Sequence, residues 1–262
     1  MTWSLIAAVN NESVLRHNLL QSPDASCARD VILRRGFANA GAAYNSVLAE
    51  ARGDLLVFAH QDVYLPAGWI RSLEGWVTKV AAKDPRWAVL GVIGIDVHGE
   101  AQGRVYSTGL GRLAGKPLKS PVRVNSIDEM VIIVRRDCGL DFDPNLPGFH
   151  LYGTDICLKA SERGLSCFVI DNFCLHNSNG IRRLPFAFWR SCAYLQAKWR
   201  TRLPLRTLCV TIRRGLPWLA LSIVRECINP RIPGTRVSDP ARLVQKLTVD
   251  AEPLLTQRSA YV

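Results

Sequence analysis

The sequence predicts an α/β protein with a mostly parallel sheet flanked by helices, and three observations carry that expectation. Leu55 to Ala59, LLVFA, is an uninterrupted apolar run of the length expected for a strand buried on both faces. From Trp3 to Ile95, strand-like and helix-like stretches alternate in the order β-α-β-α-β-α-β, the pattern of a parallel sheet covered on both sides. The 262 residues are 48% hydrophobic and 21% charged, enough apolar material for one large core or two modest ones.

Taken in order, Trp3 to Val9 is a strand that runs into Asn10, Asn11 and Glu12, after which Val14, Leu15, Leu19 and Leu20 recur at helical spacing. Val31 to Leu33 is a short second strand. It leads into good helix formers from Ala42 to Ala51, with Asn39 and Gly41 placed to cap the start and let a backbone N–H approach a ligand. The central strand Leu55–Ala59 follows. Pro66 and Gly68 then open a helix with Trp69, Ile70, Leu73, Trp76, Val77 and Val80 on one face. Ala88 to Ile95 is a further strand, Gly99 to Gly115 a loop or short hairpin, and Met130 to Val134 a later strand approached by Asp128 and Glu129. Thr154 is placed to cap a helix with Asp155 in its first turn and Gly164 at its end, and Ser166 to Ile170 is the next strand. His176 lies in a polar loop with Asn177, Ser178 and Asn179.

Charge divides the chain. Residues 1–180 carry 18 Lys+Arg and 18 Asp+Glu, whereas residues 181–262 carry 15 and 4, so the net charge of +11 belongs to the last 82 residues. A basic extension suits an anionic partner: phospholipid headgroups, nucleic acid or a phosphorylated substrate. From Leu205 to Ile223, apolar residues fall near helical spacing, and arginines break the run into pieces far below the ~20 residues of a membrane span. A basic interfacial helix and a helix packed back on the main domain both fit. Eight cysteines without a CxxC pair indicate reduced thiols rather than zinc knuckles or a disulfide framework. Met1 to Val9 lacks a basic leader, so the mature chain is expected to start at Met1 in the cytoplasm.

The first pointer to chemistry is the end of the central strand. His60, Gln61 and Asp62 follow Ala59 at once, placing two possible metal ligands where a buried strand emerges, the position at which open α/β sheets bind ligands. NAGAAYN and then ARGD, the strand ending HQDV, the segment IDEMVIIVRRD, and YGTDICLKASERG followed by LHNS occur in an order and spacing similar to family 2 glycosyltransferases of GT-A fold. The sequence more closely resembles a bacterial group of short family-2-like enzymes in which HQD is the usual form. The similarity spans roughly residues 3–200. It implies a Rossmann-like GT-A domain over residues 1–200 and a basic, partly amphipathic helical extension over 201–262.

The resemblance implies a hexosyltransferase-type enzyme of polysaccharide biosynthesis that is inverting, non-processive and metal-dependent. Its donor would be a UDP-, dTDP- or GDP-linked sugar and its acceptor a glycan or lipid-linked hydroxyl. Asp62 matches the last aspartate of the DxD motif and His176 a late metal or diphosphate ligand, both on Mn2+ or Mg2+ that neutralises the leaving diphosphate. Asp155 matches the carboxylate that deprotonates the acceptor. Asn10, Asn39, Gly41 and Asn45 match the nucleotide pocket together with His60, Gln61 and Asp62, and Asp128 and Glu129 match the sugar or acceptor site. The Asp-Asp pair that many members place after the second strand is missing between Leu33 and Asn39, so the nucleotide stays open. Peripheral contact with the inner face of the plasma membrane is a further implication. Two rival readings remain: a non-catalytic GT-A-like binding protein, permitted by His60 in place of aspartate, and nucleic-acid binding by the tail. The second lacks any helix-turn-helix or RRM signature.

Overall fold

The structure, a computed structural model, describes residues 1–247; positions 248–262 of the expected extension lie outside the described residues. β1 (Trp3–Val9) leads into α1 (Glu12–His17), whose N-cap Asn11 accepts from the Val14 N–H at 3.0 Å. Then come β2 (Asp30–Arg35), α2 (Ala40–Asn45), β3 (Leu55–Ala59) and, just past the HQD turn, the two-residue β4 (Val63–Tyr64). α3 (Trp69–Lys83) buries Trp69, Leu73, Trp76 and Val80 as their spacing predicts. The run from Ala88 to Ile95 divides into β5 (Trp87–Gly91) and β6 (Ile93–Asp96), and the glycine-rich piece is a hairpin of β7 (Ala101–Ser107) and β8 (Arg112–Lys116). β9 (Val122–Ile127), β10 (Val131–Arg135), α4 (Tyr152–Glu162), β11 (Ser166–Val169), β12 (Cys174–His176) and α5 (Phe186–Lys198) complete the main body.

The strands form one curled sheet of twelve in the order β2-β1-β3-β10-β5-β11-β9-β6-β7-β12-β4, with β8 attached to β7. It is mixed rather than mostly parallel. β2, β1 and β3 are mutually parallel, as are the pairs β5/β11 and β7/β12; the remaining pairs are antiparallel. The reason lies in the connections. A parallel crossover needs a dozen or more residues, whereas β6, β7 and β8 reverse through short turns; β10 then continues in the direction of β9 through Asp128, Glu129 and Met130, which sets it antiparallel to β3 and β5.

Side-chain alternation along β1 and β3 serves two cores at once. Ile6 and Phe58 point to the side where Tyr44, Phe142, Phe188 and Trp199 pack under α2, α4 and α5; Leu5 and Val57 join Trp69, Leu73, Leu90 and Phe168 under α3. All five residues of β3 are therefore buried.

The extension departs from the single amphipathic helix that its spacing suggested. β13 (Leu205–Arg206) and β14 (Thr211–Ile212) form a hairpin whose turn is held by the Thr207 hydroxyl, which accepts from the N–H groups of Cys209 and Val210. Leu205 and Ile212 enter the α4/α5 core, and only then does α6 (Leu216–Ile228) begin, after Gly215 at φ 90°. No described helix is long and apolar enough to cross a membrane, and all eight cysteines are unpaired.

Candidate metal and nucleotide site

Two short strands close a gap of more than a hundred residues. β4 follows the HQD turn directly and pairs antiparallel with β12, setting His176 opposite Val63; the Asn177 N–H then donates to the Asp62 carbonyl at 2.8 Å. His176 thus ends β12 rather than lying in a loop. Its Nε2 is 3.4 Å from Asp62 Oδ1. His60 stands at the exit of β3, its N–H held by the Met130 carbonyl at 2.9 Å, and its ring centroid is 6.0 Å from that of His176. One donor atom from each of His60, Asp62 and His176 lies within 4.8 Å of the other two, the one such His/Cys/Asp/Glu group among the described residues.

The electrostatics suit a cation. Burial pushes the His60 pKa down, and the nearby His176 adds to this, so its imidazole is neutral and able to ligate. Burial would raise the Asp62 carboxyl, but the hydrogen bond and charge of His176, with Arg236 nearby, hold it at about 2. Burial also lowers His176, yet Asp62 outweighs it and raises the pKa overall. Tyr152 Oη donates to the Glu129 carbonyl at 3.2 Å and lies within hydrogen-bond distance, 2.9 Å, of His60 Nε2, so it orients the His60 ring. Two imidazoles and one carboxylate fit a borderline divalent ion such as Mn2+, Fe2+ or Zn2+ better than Mg2+ or Ca2+, which take oxygen ligands.

Beside this group lies a cleft of about 350 Å³ lined by Ala8, Asn10, Arg34, Phe37, His60, Gln61, Asp62 and Phe149, among others. Gln61 is fixed across its mouth, accepting from the N–H groups of Asn10 and Asn11 at 3.0 Å each and donating to Asn10 Oδ1 at 2.5 Å.

The start of α4 approaches His60 through Tyr152. Leu151 sits at φ 65°, the one non-glycine residue in the left-handed region among the described residues, and Gly153 packs so tightly that a Cβ there would meet the Ile127 carbonyl oxygen at 2.5 Å. Thr154 is therefore inside the helix, not its cap, and its hydroxyl pairs with Ser126 Oγ at 2.8 Å. Glu129 meets this helix start. Burial and the Asp128 carboxylate push its pKa from the usual 4.5 to about 8, against the pull of the Gly153 and Leu151 N–H groups. Asp128 turns its carboxylate to the Met130 N–H, and its charge still reaches His60 and His176.

The other expected site residues are spent elsewhere. Asn39 caps α2 by accepting from the Ala42 N–H at 2.7 Å and donates to the Pro144 carbonyl, and Asn45 uses both amide atoms on the Phe142 backbone. A Cβ on Gly41 would meet the Asp143 carbonyl oxygen at 2.1 Å, so this glycine admits the 142–148 loop rather than a ligand. Asp155 is not brought to the cluster. It is 1% exposed, and its carboxylate accepts from Lys198 Nζ at 2.7 and 2.9 Å and from Trp199 Nε1 at 2.7 Å. Lys198 also bridges to Asp143, so Asp155 ties α4 to α5 in a buried ion-pair network.

Arg236 was missed by the sequence reading. The segment after α6 returns over the molecule, with the Gly234 N–H bonded to the Gly109 carbonyl and the Val237 N–H to Asn177 Oδ1, and Arg236 Nη2 ends 3.8 Å from Asp62 Oδ2. No motif marks it; one arginine among many gives no signal until the chain doubles back.

No family model matches the chain. The Fuscovulum blasticum protein called ATP synthase subunits region ORF 6 is 30% identical over 181 residues, covering 66% of this chain and 71% of that protein. Among solved structures, the chain is similar to the mannosyltransferase PcManGT of Pyrobaculum calidifontis in complex with GDP-Man and Mn2+ (12% identity, 98% of this chain and 83% of that one, TM-score 0.47). It is also similar to S. aureus TarS 1–349 (14% identity, 76% and 65%, TM-score 0.46) and to GalNAc-T7 with UDP, GalNAc and Mn2+ (15%, 67% and 44%, TM-score 0.48). The chain thus spans less than half the length of the GalNAc-T7 chain.

Proposed function

This chain belongs to the same family as the Fuscovulum blasticum ATP synthase subunits region ORF 6 protein, and from the chemistry of its site we propose that it is a GT-A glycosyltransferase that uses a nucleotide-sugar donor and a divalent cation. The observation that carries this reading is the meeting of His60, Asp62 and His176 at the exits of β3 and β12, beside a cleft sized for a small ligand. The cation, held by these three side chains, would neutralise charge on the leaving diphosphate. Arg236 adds a second positive charge at the same place, suited to phosphate oxygens. Asn10 and Gln61 shape the cleft mouth, and Phe37 and Phe149 offer apolar surface to a base.

Glu129 is the carboxylate we assign to deprotonating the acceptor hydroxyl, because the Tyr152 hydroxyl links its backbone carbonyl to His60 of the cluster and its pKa lies near the working range of a general base. Its sign is definite: below about 8 it holds its proton and is idle, so transfer is expected to rise with pH through that value. Residues 1–200 carry the transfer chemistry in this reading, and residues 201–262 form an extension that returns Arg236 to the site. The acceptor in this reading is a glycan or lipid-linked hydroxyl.

Slow hydrolysis of UDP-, dTDP- and GDP-sugars, followed with and without Mn2+, tests the proposal. One donor should be cleaved in a metal-dependent way, and Asp62→Ala should abolish metal-dependent nucleotide binding in calorimetry. Unchanged Mn2+-dependent binding in Asp62→Ala, or no binding of any of the three nucleotides by the parent, would sink it. Arg236→Ala is expected to weaken nucleoside diphosphate binding roughly tenfold, the loss of one charge-assisted contact, while leaving binding of Mn2+ alone in place. Equal affinity for diphosphate and parent-like transfer would remove Arg236 from the site.

A further inference from the structure

α6 presents apolar residues on two sides. Trp218, Leu219 and Ile223 pack inward on the α4/α5 core, while Leu216 (75% exposed), Leu221 (69%), Val224 (54%) and Ile228 (70%) face outward. With Pro217 and Ala220 also exposed, the outward residues recur at helical spacing and form one continuous stripe along 13 residues, about 20 Å. Phe186, 76% exposed, lies two residues beyond Leu184, whose N–H is held by Glu226 of α6. Soluble surfaces carry isolated apolar residues as a matter of course, but a contiguous stripe of this size marks an interaction face.

The charges around the stripe select the partner. Residues 181–232 contain 11 Lys+Arg and one acid, Glu226, which is already paired with Arg231. Arg213 and Arg214 stand exposed at the helix start and Arg225 along it, and among the described residues none of the three has a carboxylate partner. A second copy of this chain meeting α6 across a two-fold axis would bring arginines against the same arginines. An anionic bilayer meets both features at once, apolar acyl chains for the stripe and phosphates for the guanidinium groups.

We propose that the outward face of α6, with Phe186, docks the protein in the plane of an anionic phospholipid surface. The helix lies on the bilayer rather than across it, since it is too short to span. The inference stands on the exposed face and its charges and does not depend on the transferase reading.

Co-sedimentation of the full-length protein with vesicles of phosphatidylglycerol or of phosphatidylcholine tests it, at low and high salt. Binding to phosphatidylglycerol is expected, weakening as salt rises, with little binding to phosphatidylcholine. The double variant Leu221→Glu/Val224→Glu changes only exposed positions; it should keep the parent's melting temperature and lose about tenfold or more of the vesicle affinity. Parent protein that ignores phosphatidylglycerol at low salt, or a double variant that binds as the parent does, overturns the proposal. So does a concentration-dependent dimer, seen by light scattering and abolished by the same two changes, which would assign the face to a second copy.

Discussion

Glu129→Gln is expected to lower glycosyl transfer by on the order of 10²- to 10⁴-fold while leaving the fold intact and donor and metal binding unchanged. A sugar hydroxyl is a weak nucleophile at neutral pH, and glutamine keeps the size of the side chain while removing its basicity. The variant should also become more stable relative to the parent as pH rises. The folded-state pKa of about 8 lies above the usual 4.5, so the folded protein binds the Glu129 proton more tightly than the unfolded chain does. Between these values each rise in pH costs the parent stability, on the order of a few kcal/mol in all, and glutamine removes that cost. Thermal melts and pH–rate profiles of both proteins check the pair of effects. A variant with near-parental transfer, or one whose rate keeps the rising limb near pH 8, would show that another group takes the proton.

Asp155→Asn is expected to act on stability, at a cost on the order of 3 kcal/mol, because it breaks a buried carboxylate that holds Lys198 and Trp199. For a chain of this size that is a fall in melting temperature of roughly 6–12 °C. Lys198 retains Asp143, so folding at low temperature should survive, and transfer per folded molecule should stay close to that of the parent. The opposite outcome, a parent-like melting temperature with transfer almost abolished, would return the role of general base to Asp155. Measuring both variants in the same assay separates the two carboxylates.

The sequence by itself determined the pieces whose cause is local. The apolar run of β3, the helical stripe of α3, the Asn39 cap of α2 and the stop of α4 before Gly164 depend on burial period, capping chemistry and left-handed glycine, all readable in a few adjacent residues. His60, Gln61 and Asp62 were legible as a candidate site because they end a buried strand abruptly in polar groups.

The tertiary structure decided what depends on pairing. Strand direction follows from connection length and neighbour, which made the sheet mixed, and the Thr207 turn divided a stretch of helical periodicity into a hairpin and α6. Asn39, Gly41 and Asn45 resemble pocket residues in sequence but are consumed by the 142–148 loop, a neighbour about a hundred positions away. The same holds for the carboxylates. Asp155 and Glu129 are both acids beside apolar runs, and only the packing of α5 over one and the approach of α4's first turn to the other makes the first an ion-paired carboxylate and the second a buried one with its pKa pushed up to about 8, because burial and partner charges act through space and leave no mark on sequence spacing.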